Sequence, residues 1–268
     1  MTGQVRGRQV TWEWDLRESG PADADHTVLL LPGALATAAF YDDLVAATRF
    51  AGESIKFVAA TLPGQGGTPP SENLSIEGYA RLAGKLAADR GCSAVVGHSM
   101  GANVAIEMAA AGEFSAPLVL LAPSFSREDE SMFPRVLDRL GSVLGYLPFA
   151  AMLKVIGRAV KGGLPADRHD ALVAELQKND PRVVRRHIRL YLAYLDRHGS
   201  VAPRLCDAGT RAWVVFGDLD ETGLTDDERR VLEDCPRVTL VTIPDVGHFT
   251  LNMVPDRVAE IVLEALSA

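Results

Sequence analysis

A serine set between two glycines is the first candidate for chemistry in this chain. Residues 97–101 read Gly-His-Ser-Met-Gly, which places Ser99 at the centre of a G-x-S-x-G pentapeptide. An apolar stretch at 94–96 runs into the pentapeptide and an Ala-rich stretch leaves it. This strand–turn–helix context is typical of a turn that exposes a nucleophilic hydroxyl, and the tight turn leaves no room for side chains at the two glycines. The alternative interpretation is a helix-capping serine in a Gly-rich turn.

A serine hydroxyl becomes a good nucleophile only when a base takes its proton, and His248 is the candidate base. It follows the last predicted strand and precedes the last predicted helix. Because parallel strands end at one edge of a sheet, we expect His248 to lie near Ser99. A carboxylate must orient the imidazole, and either Asp218 or Asp220, both just after the strand predicted at 212–216, could do so.

The elements that position these residues alternate between strand and helix. Mainly apolar segments at 28–31, 55–61, 94–96, 116–123, 212–216 and 238–245 predict strands, and two further short strands are expected within 4–17. Segments with helical spacing separate most of them, which predicts βαβ units and a mostly parallel sheet of eight strands with helices on both faces.

The alternation stops between residues 124 and 208. No strand is predicted there, and apolar residues recur at helical spacing, with Asp180-Pro181 marking one helix start. We therefore predict a core domain of residues 1–123 and 209–268, and a helical cap of residues 124–208 inserted between strands six and seven. Candidates for lining a pocket are Phe133, Leu147, Phe149, Met152 and Tyr191, although plain helix packing is the favoured interpretation of each.

The chain resembles the α/β-hydrolase superfamily, and in particular its small, lidded, esterase-like members. The resemblance covers nearly the whole length except the helical insertion. It is carried by five motifs in order: LLLPG at 29–33, LPGQGGTPP at 62–70, GHSMG at 97–101, VVFGDLD at 214–220 and VGHFTLNMVPDRV at 246–258. Serine, acid and histidine also follow one another in the order of that fold.

The resemblance implies a catalytic triad of Ser99, His248 and an acid that maps to Asp220 in preference to Asp218. It also implies an oxyanion hole formed by the backbone N–H groups of Met100 and Ala34. The chain departs from the family at Pro32-Gly33, where His-Gly is usual; proline removes a side chain that orders this loop but neither of the two expected donors.

The expected activity is hydrolysis of a small, largely apolar carboxylic ester through an acyl-enzyme, with no metal or organic cofactor. The alternatives are a C–C bond hydrolase or acyltransferase with the same triad, and a ligand-binding protein on a hydrolase fold.

The composition restricts the partners that we expect. A net charge of −8 argues against nucleic acid and against anionic membranes, and leaves a small-molecule substrate and a possible homo-oligomer. No signal-peptide core and no run of about 18 apolar residues is present, so we expect a cytoplasmic protein. Three scattered cysteines do not predict a disulfide framework.

Overall fold

A seven-stranded sheet organises the part of the chain that the computed structural model describes, residues 13–130 and 132–268. The strands run in the order β1-β3-β2-β4-β5-β6-β7, with β1 antiparallel to β3 and every other pair parallel. Their bounds are β1 Asp15–Ser19, β2 His26–Leu31, β3 Ile55–Thr61, β4 Ala94–His98, β5 Leu118–Leu121, β6 Ala212–Gly217 and β7 Val238–Ile243.

The strand count differs from the predicted eight. Of the stretch 4–17 that was expected to hold two strands, residues 4–12, including Trp12, lie outside the described residues. The remainder contributes one strand, β1, which continues two residues beyond the expected end because it pairs with β3 as far as Phe57. Counted over the described residues, the helical insertion therefore lies between the fifth and sixth strands, not between the sixth and seventh.

The inner strands β2 to β6 are buried on both faces, as their mainly apolar runs predict, whereas the edge strands β1 and β7 are partly exposed. In β2, Val28 and Leu30 face one hydrophobic cluster while Leu29 and Leu31 face another, and none of the four is exposed. Alternate residues of a strand point to opposite faces, so a run without polar residues requires cover on both sides.

Helices supply this cover. One face carries α1 Asp42–Val45, α10 Thr250–Met253 and α11 Pro255–Leu266; the other carries α2 Ile76–Asp89, α3 Met100–Ala110 and α9 Asp226–Glu233.

The described part of the segment between β5 and β6 consists of five helices joined by turns and loops. It contains α4 Met132–Leu144, α5 Leu147–Ala159, α6 His169–Gln177, α7 Pro181–His198 and α8 Ala202–Ala208. Asp180 caps α7 as its sequence predicts, since its side chain accepts a hydrogen bond of 2.8 Å from the Arg182 N–H. Helix α7 packs against α2, α4 and α5, and α8 packs against α3.

Two of the three cysteines form a disulfide. Cys206 in α8 and Cys235 after α9 are bonded, with their Cα atoms 5.7 Å apart, whereas Cys92 is a free thiol. The sequence spacing did not predict this pair, because the two residues are 29 positions apart and meet only through the packing of α8 on α9. No helix in the described residues is long and apolar enough to cross a membrane.

Candidate active site

Ser99 occupies a strained turn between β4 and α3. Its backbone angles are φ 51° and ψ −122°, in a region that non-glycine residues rarely adopt. The turn is held from both sides: the Ser99 N–H donates to Leu121 O at 2.8 Å, and Ser99 O accepts from the Ala102 N–H at 2.8 Å. The side chain is half-buried and faces a cavity.

The two glycines of the pentapeptide are required by close backbone approaches. A Cβ atom on Gly97 would lie 2.5 Å from Gly101 O, and one on Gly101 would lie 2.1 Å from Leu31 O. Neither neighbour is a flexible side chain that could move aside. The turn therefore leaves no room for side chains at these two positions, as the G-x-S-x-G spacing predicts.

His248 and Asp220 meet beyond the carboxyl ends of β7 and β6. His248 Nδ1 lies 3.1 Å and 3.0 Å from the two carboxylate oxygens of Asp220. The side chain of Asp220 is 2 % exposed and that of His248 is 30 % exposed. Because a carboxylate only accepts hydrogen bonds, Nδ1 carries the proton and Nε2 is left as the acceptor that a general base needs.

Asp218, the alternative acid, is turned elsewhere. Its Oδ1 accepts a hydrogen bond of 3.4 Å from the Val246 N–H, and the residue is exposed. A turn explains the difference: the Asp220 N–H donates to Gly217 O at 3.2 Å, and Asp220 Oδ1 accepts from the Thr222 N–H at 2.9 Å. The turn thus aims the second aspartate at His248.

Ser99 and His248 line the same cavity. Within the described residues no hydrogen bond joins the Ser99 hydroxyl to the His248 ring. In enzymes without bound substrate this bond is often long or poorly aligned and tightens when the substrate binds.

Met100 and Ala34, whose backbone N–H groups are the expected oxyanion donors, both line this cavity beside Ser99. Met100 begins α3, and Ala34 lies in the loop after β2. Neither N–H donates to another residue that the structure describes. The loop approaches the serine closely, because a Cβ atom on Gly33 would lie 3.1 Å from Ser99 Cβ. Pro32 removes neither donor, so both remain available to a developing negative charge.

His98 has a part in the site that the sequence analysis missed. It is buried, and its Nε2 lies 3.0 Å from the backbone oxygen of His248. Burial and the nearby His248 ring lower the pKa of His98 to about 3, so it is neutral at neutral pH. A neutral imidazole that donates from Nε2 holds the His248 loop in place. Only the position of His98 inside the pentapeptide could have signalled this contact.

The cavity measures about 200 Å³ and is walled mainly by the helical insertion. Of the five predicted lining candidates, Phe133, Met152 and Tyr191 do line it. Phe149 is fully buried between helices, and Leu147 is 58 % exposed. Further apolar walls come from Leu137, Ile156, Val160, Leu176, Ile188 and Phe249.

Glu130 is the one acidic side chain among the described residues that line this cavity. Its Oε2 accepts a hydrogen bond of 3.0 Å from the Ser124 hydroxyl, and it forms no ion pair with a described residue. Nearby, the Tyr191 hydroxyl donates to Asn103 Oδ1 at 3.3 Å. Burial, with Glu130 adding to it, raises the pKa of Tyr191 well above its ordinary value. The wall therefore combines apolar surface with one negative charge.

In the parts of the chain that the structure describes, no group of three or more His, Cys, Asp or Glu side chains could hold a metal ion.

Comparison with known proteins places this arrangement in context. The model of the alpha/beta hydrolase family matches residues 28–261. No curated protein matches the chain.

Several solved structures share the fold. MenH from S. aureus superposes with a TM-score of 0.74 at 17 % identity, covering 94 % of this chain and 97 % of that one. An esterase from Exiguobacterium antarcticum superposes with a TM-score of 0.75 at 13 % identity, covering 94 % of this chain and 95 % of that one. A thermophilic esterase from Thermogutta terrifontis superposes with a TM-score of 0.69 at 17 % identity, covering 98 % of this chain and 96 % of that one. At such identities the likeness concerns the fold alone.

Proposed function

Because the chain belongs to the alpha/beta hydrolase family, we propose that it is a serine hydrolase that cleaves a small, largely apolar carboxylic ester. Ser99 is the nucleophile, His248 the general base and Asp220 the residue that orients the base. One observation carries this proposal: the imidazole of His248 is held by a buried carboxylate at 3.0 Å and shares a cavity with a serine in a strained turn.

The reaction begins when Ser99 Oγ attacks the carbonyl carbon and His248 Nε2 takes the hydroxyl proton. The carbonyl oxygen becomes negatively charged and accepts hydrogen bonds from the Met100 and Ala34 N–H groups. Collapse of this intermediate breaks the ester C–O bond, and His248 gives its proton to the departing alkoxide. The alcohol leaves, and the acyl group remains on Ser99.

Water completes the cycle by the same steps. His248 removes a proton from water, the hydroxide attacks the acyl-enzyme, and His248 returns the proton to Ser99 as the acid leaves. Asp220 stabilises the imidazolium that forms in each half. Each oxyanion donor is worth about 3 kcal/mol of transition-state stabilisation, and the N-terminus of α3 adds its positive dipole end.

The cavity favours a small and uncharged acyl group. Its volume of about 200 Å³ is below the range typical of sites for drug-sized ligands, which starts near roughly 300 Å³. Its walls are mainly apolar, and the carboxylate of Glu130 would repel an acyl chain that ends in a carboxylate.

A panel of nitrophenyl esters of increasing acyl length tests the proposal. We expect short acyl groups to react fastest, and Ser99→Ala to lower kcat about 10⁴-fold or more. Ser93→Ala, at the opposite end of the same strand, is the matched control and should stay within about twofold of the wild type. The proposal is wrong if no ester is hydrolysed, or if Ser99→Ala is as active as the control.

A further inference from the structure

Exposed apolar side chains are concentrated on one surface of the molecule. Of the twelve large apolar residues that are exposed in the described chain, nine lie between positions 132 and 155, on α4, α5 and the turn between them. We name this surface the α4–α5 face, formed by Met132, Phe133, Val136, Leu140, Val143, Leu144, Tyr146, Leu147 and Val155. Scattered exposed apolar residues are ordinary, but a contiguous group marks an interaction surface.

The spacing on α4 shows that four of these nine residues form one continuous stripe. Val136, Leu140, Val143 and Leu144 follow the i, i+4, i+7, i+8 pattern of one helical stripe. Val143 is 83 % exposed. The stripe is distinct from the side of α4 that faces inward, where a Cβ atom on Gly141 would lie 2.6 Å from the Phe149 ring. Packing within the chain therefore leaves this second stripe uncovered.

The two helices that form the α4–α5 face also carry cationic side chains. Residues 132–161 contain five cationic side chains, and none of them forms an ion pair with a residue in the described parts of the chain: Arg135, Arg139, Lys154, Arg158 and Lys161. The one acidic residue in that stretch, Asp138, is paired with Arg189 at 3.5 Å. Residues 132–161 thus carry a net positive charge in a chain whose net charge is −8.

We propose that the α4–α5 face docks onto an anionic lipid surface. Helices that combine an apolar stripe with flanking Lys and Arg lie in the interface of membranes with negatively charged headgroups, the apolar side chains inserting and the cations meeting the headgroups. A second copy of the chain fits less well, because a symmetric contact would bring two sets of unpaired cations together.

This proposal differs from the expectation drawn from the net charge. That expectation treats the charge as uniform, whereas the acidic excess lies outside residues 132–161. Docking does not depend on the proposed hydrolysis, because Ser99 takes no part in it. A vesicle-binding measurement on the Ser99→Ala variant therefore separates the two proposals.

Co-sedimentation of the full chain with vesicles is the test. Vesicles of phosphatidylcholine alone are compared with vesicles that also contain phosphatidylglycerol, at low and at high salt. We expect at least about tenfold tighter binding to the anionic vesicles, and we expect added salt to weaken it. Equal binding to both kinds of vesicle, or no binding to either, overturns the proposal.

Two sets of substitutions locate the contact. The triple variant Val143→Ser, Leu144→Ser and Leu147→Ser, and the reversal Arg135→Glu with Arg139→Glu, should each lower vesicle affinity at least about tenfold. These side chains lie mainly on the surface, so folding should be retained, as circular dichroism would show.

The matched control replaces exposed apolar residues elsewhere, Val231→Ser with Met253→Ser, and should bind like the wild type. If both α4–α5 variants bind like the wild type, the proposal is wrong. It is also wrong if the wild type is a dimer that the triple variant separates, because the α4–α5 face would then join two copies.

Discussion

Replacing Asp220 by asparagine removes one negative charge and little else. Asparagine has the same shape and keeps an oxygen that can accept the hydrogen bond from the Thr222 N–H, which Asp220 Oδ1 accepts at 2.9 Å. The fold around β6 should therefore be retained. The change affects His248, whose Nδ1 lies 3.0 Å from the carboxylate.

The size of the effect follows from that distance. When His248 takes the serine proton, its positive charge lies about 3 Å from the carboxylate, and at an effective dielectric constant of about 20 their attraction is worth about 5.5 kcal/mol. Since about 1.4 kcal/mol corresponds to a tenfold change in rate, Asp220→Asn should lower kcat by about 10⁴-fold. The amide also favours the wrong imidazole tautomer, which acts in the same direction.

Steady-state hydrolysis of a short nitrophenyl ester measures this loss, and Asp218→Asn is the matched control. Asp218 lies two residues away, is exposed and forms no hydrogen bond with His248, so its variant should stay within about threefold of the wild type. Thermal unfolding of both variants checks that they fold. If Asp220→Asn keeps more than about a tenth of the wild-type kcat, the role given to Asp220 is refuted.

Three further predictions concern packing, pH and specificity. Gly101→Ala places a Cβ atom 2.1 Å from Leu31 O, so the free energy of unfolding should fall by about 3 kcal/mol or more in a denaturant titration. A Cβ atom on Gly162 would meet no atom within 4 Å, so Gly162→Ala should lower the free energy of unfolding by less than about 1 kcal/mol. Equal destabilisation by the two substitutions would contradict the close approach at Gly101. Burial lowers the pKa of His187 to about 4, below its unfolded value of about 6.5. The unfolded chain therefore binds the extra proton, and stability falls as the pH drops between these values. Between about pH 7 and about pH 4.5, the free energy of unfolding of His187→Gln should therefore decrease by about 2 kcal/mol less than that of the wild type. An unchanged pH dependence would count against a buried neutral imidazole. Glu130→Gln should raise kcat/KM for an ester with a carboxylate-terminated acyl chain at least about tenfold relative to a neutral ester, and an unchanged ratio would show that Glu130 does not repel the acyl group.

The sequence predicted the fold because the inner strands of the sheet are buried on both faces. These strands are mainly apolar runs, and parallel strands bring their carboxyl ends to one edge. The α/β-hydrolase fold expected from these runs and motifs is confirmed by the family match over residues 28–261. The same reasoning placed the loops of Ser99 and His248 on one side of the sheet, while their catalytic roles stay predictions.

Features set by tertiary packing could not be predicted in the same way. Spacing after β6 allows either aspartate, and only the turn at Thr222 directs Asp220 toward His248. Phe133 and Phe149 both lie on apolar helical stripes, but only Phe149 packs against Gly141 and is fully buried. Glu130 lies in a loop without periodicity, so no pattern marked it as a cavity residue.

The net charge of the chain also does not predict the local charge of residues 132–161. A single sum over the chain does not show that residues 132–161 hold five cationic and nine exposed apolar side chains.

Covalent labelling with a fluorophosphonate tests the central claim most directly, because it detects an activated serine whatever the natural substrate is. We predict one adduct per chain, mapped to Ser99 by peptide mass spectrometry, lost in Ser99→Ala and formed much more slowly in His248→Ala. A folded wild-type protein that stays unlabelled, or a label on another residue, would contradict the account.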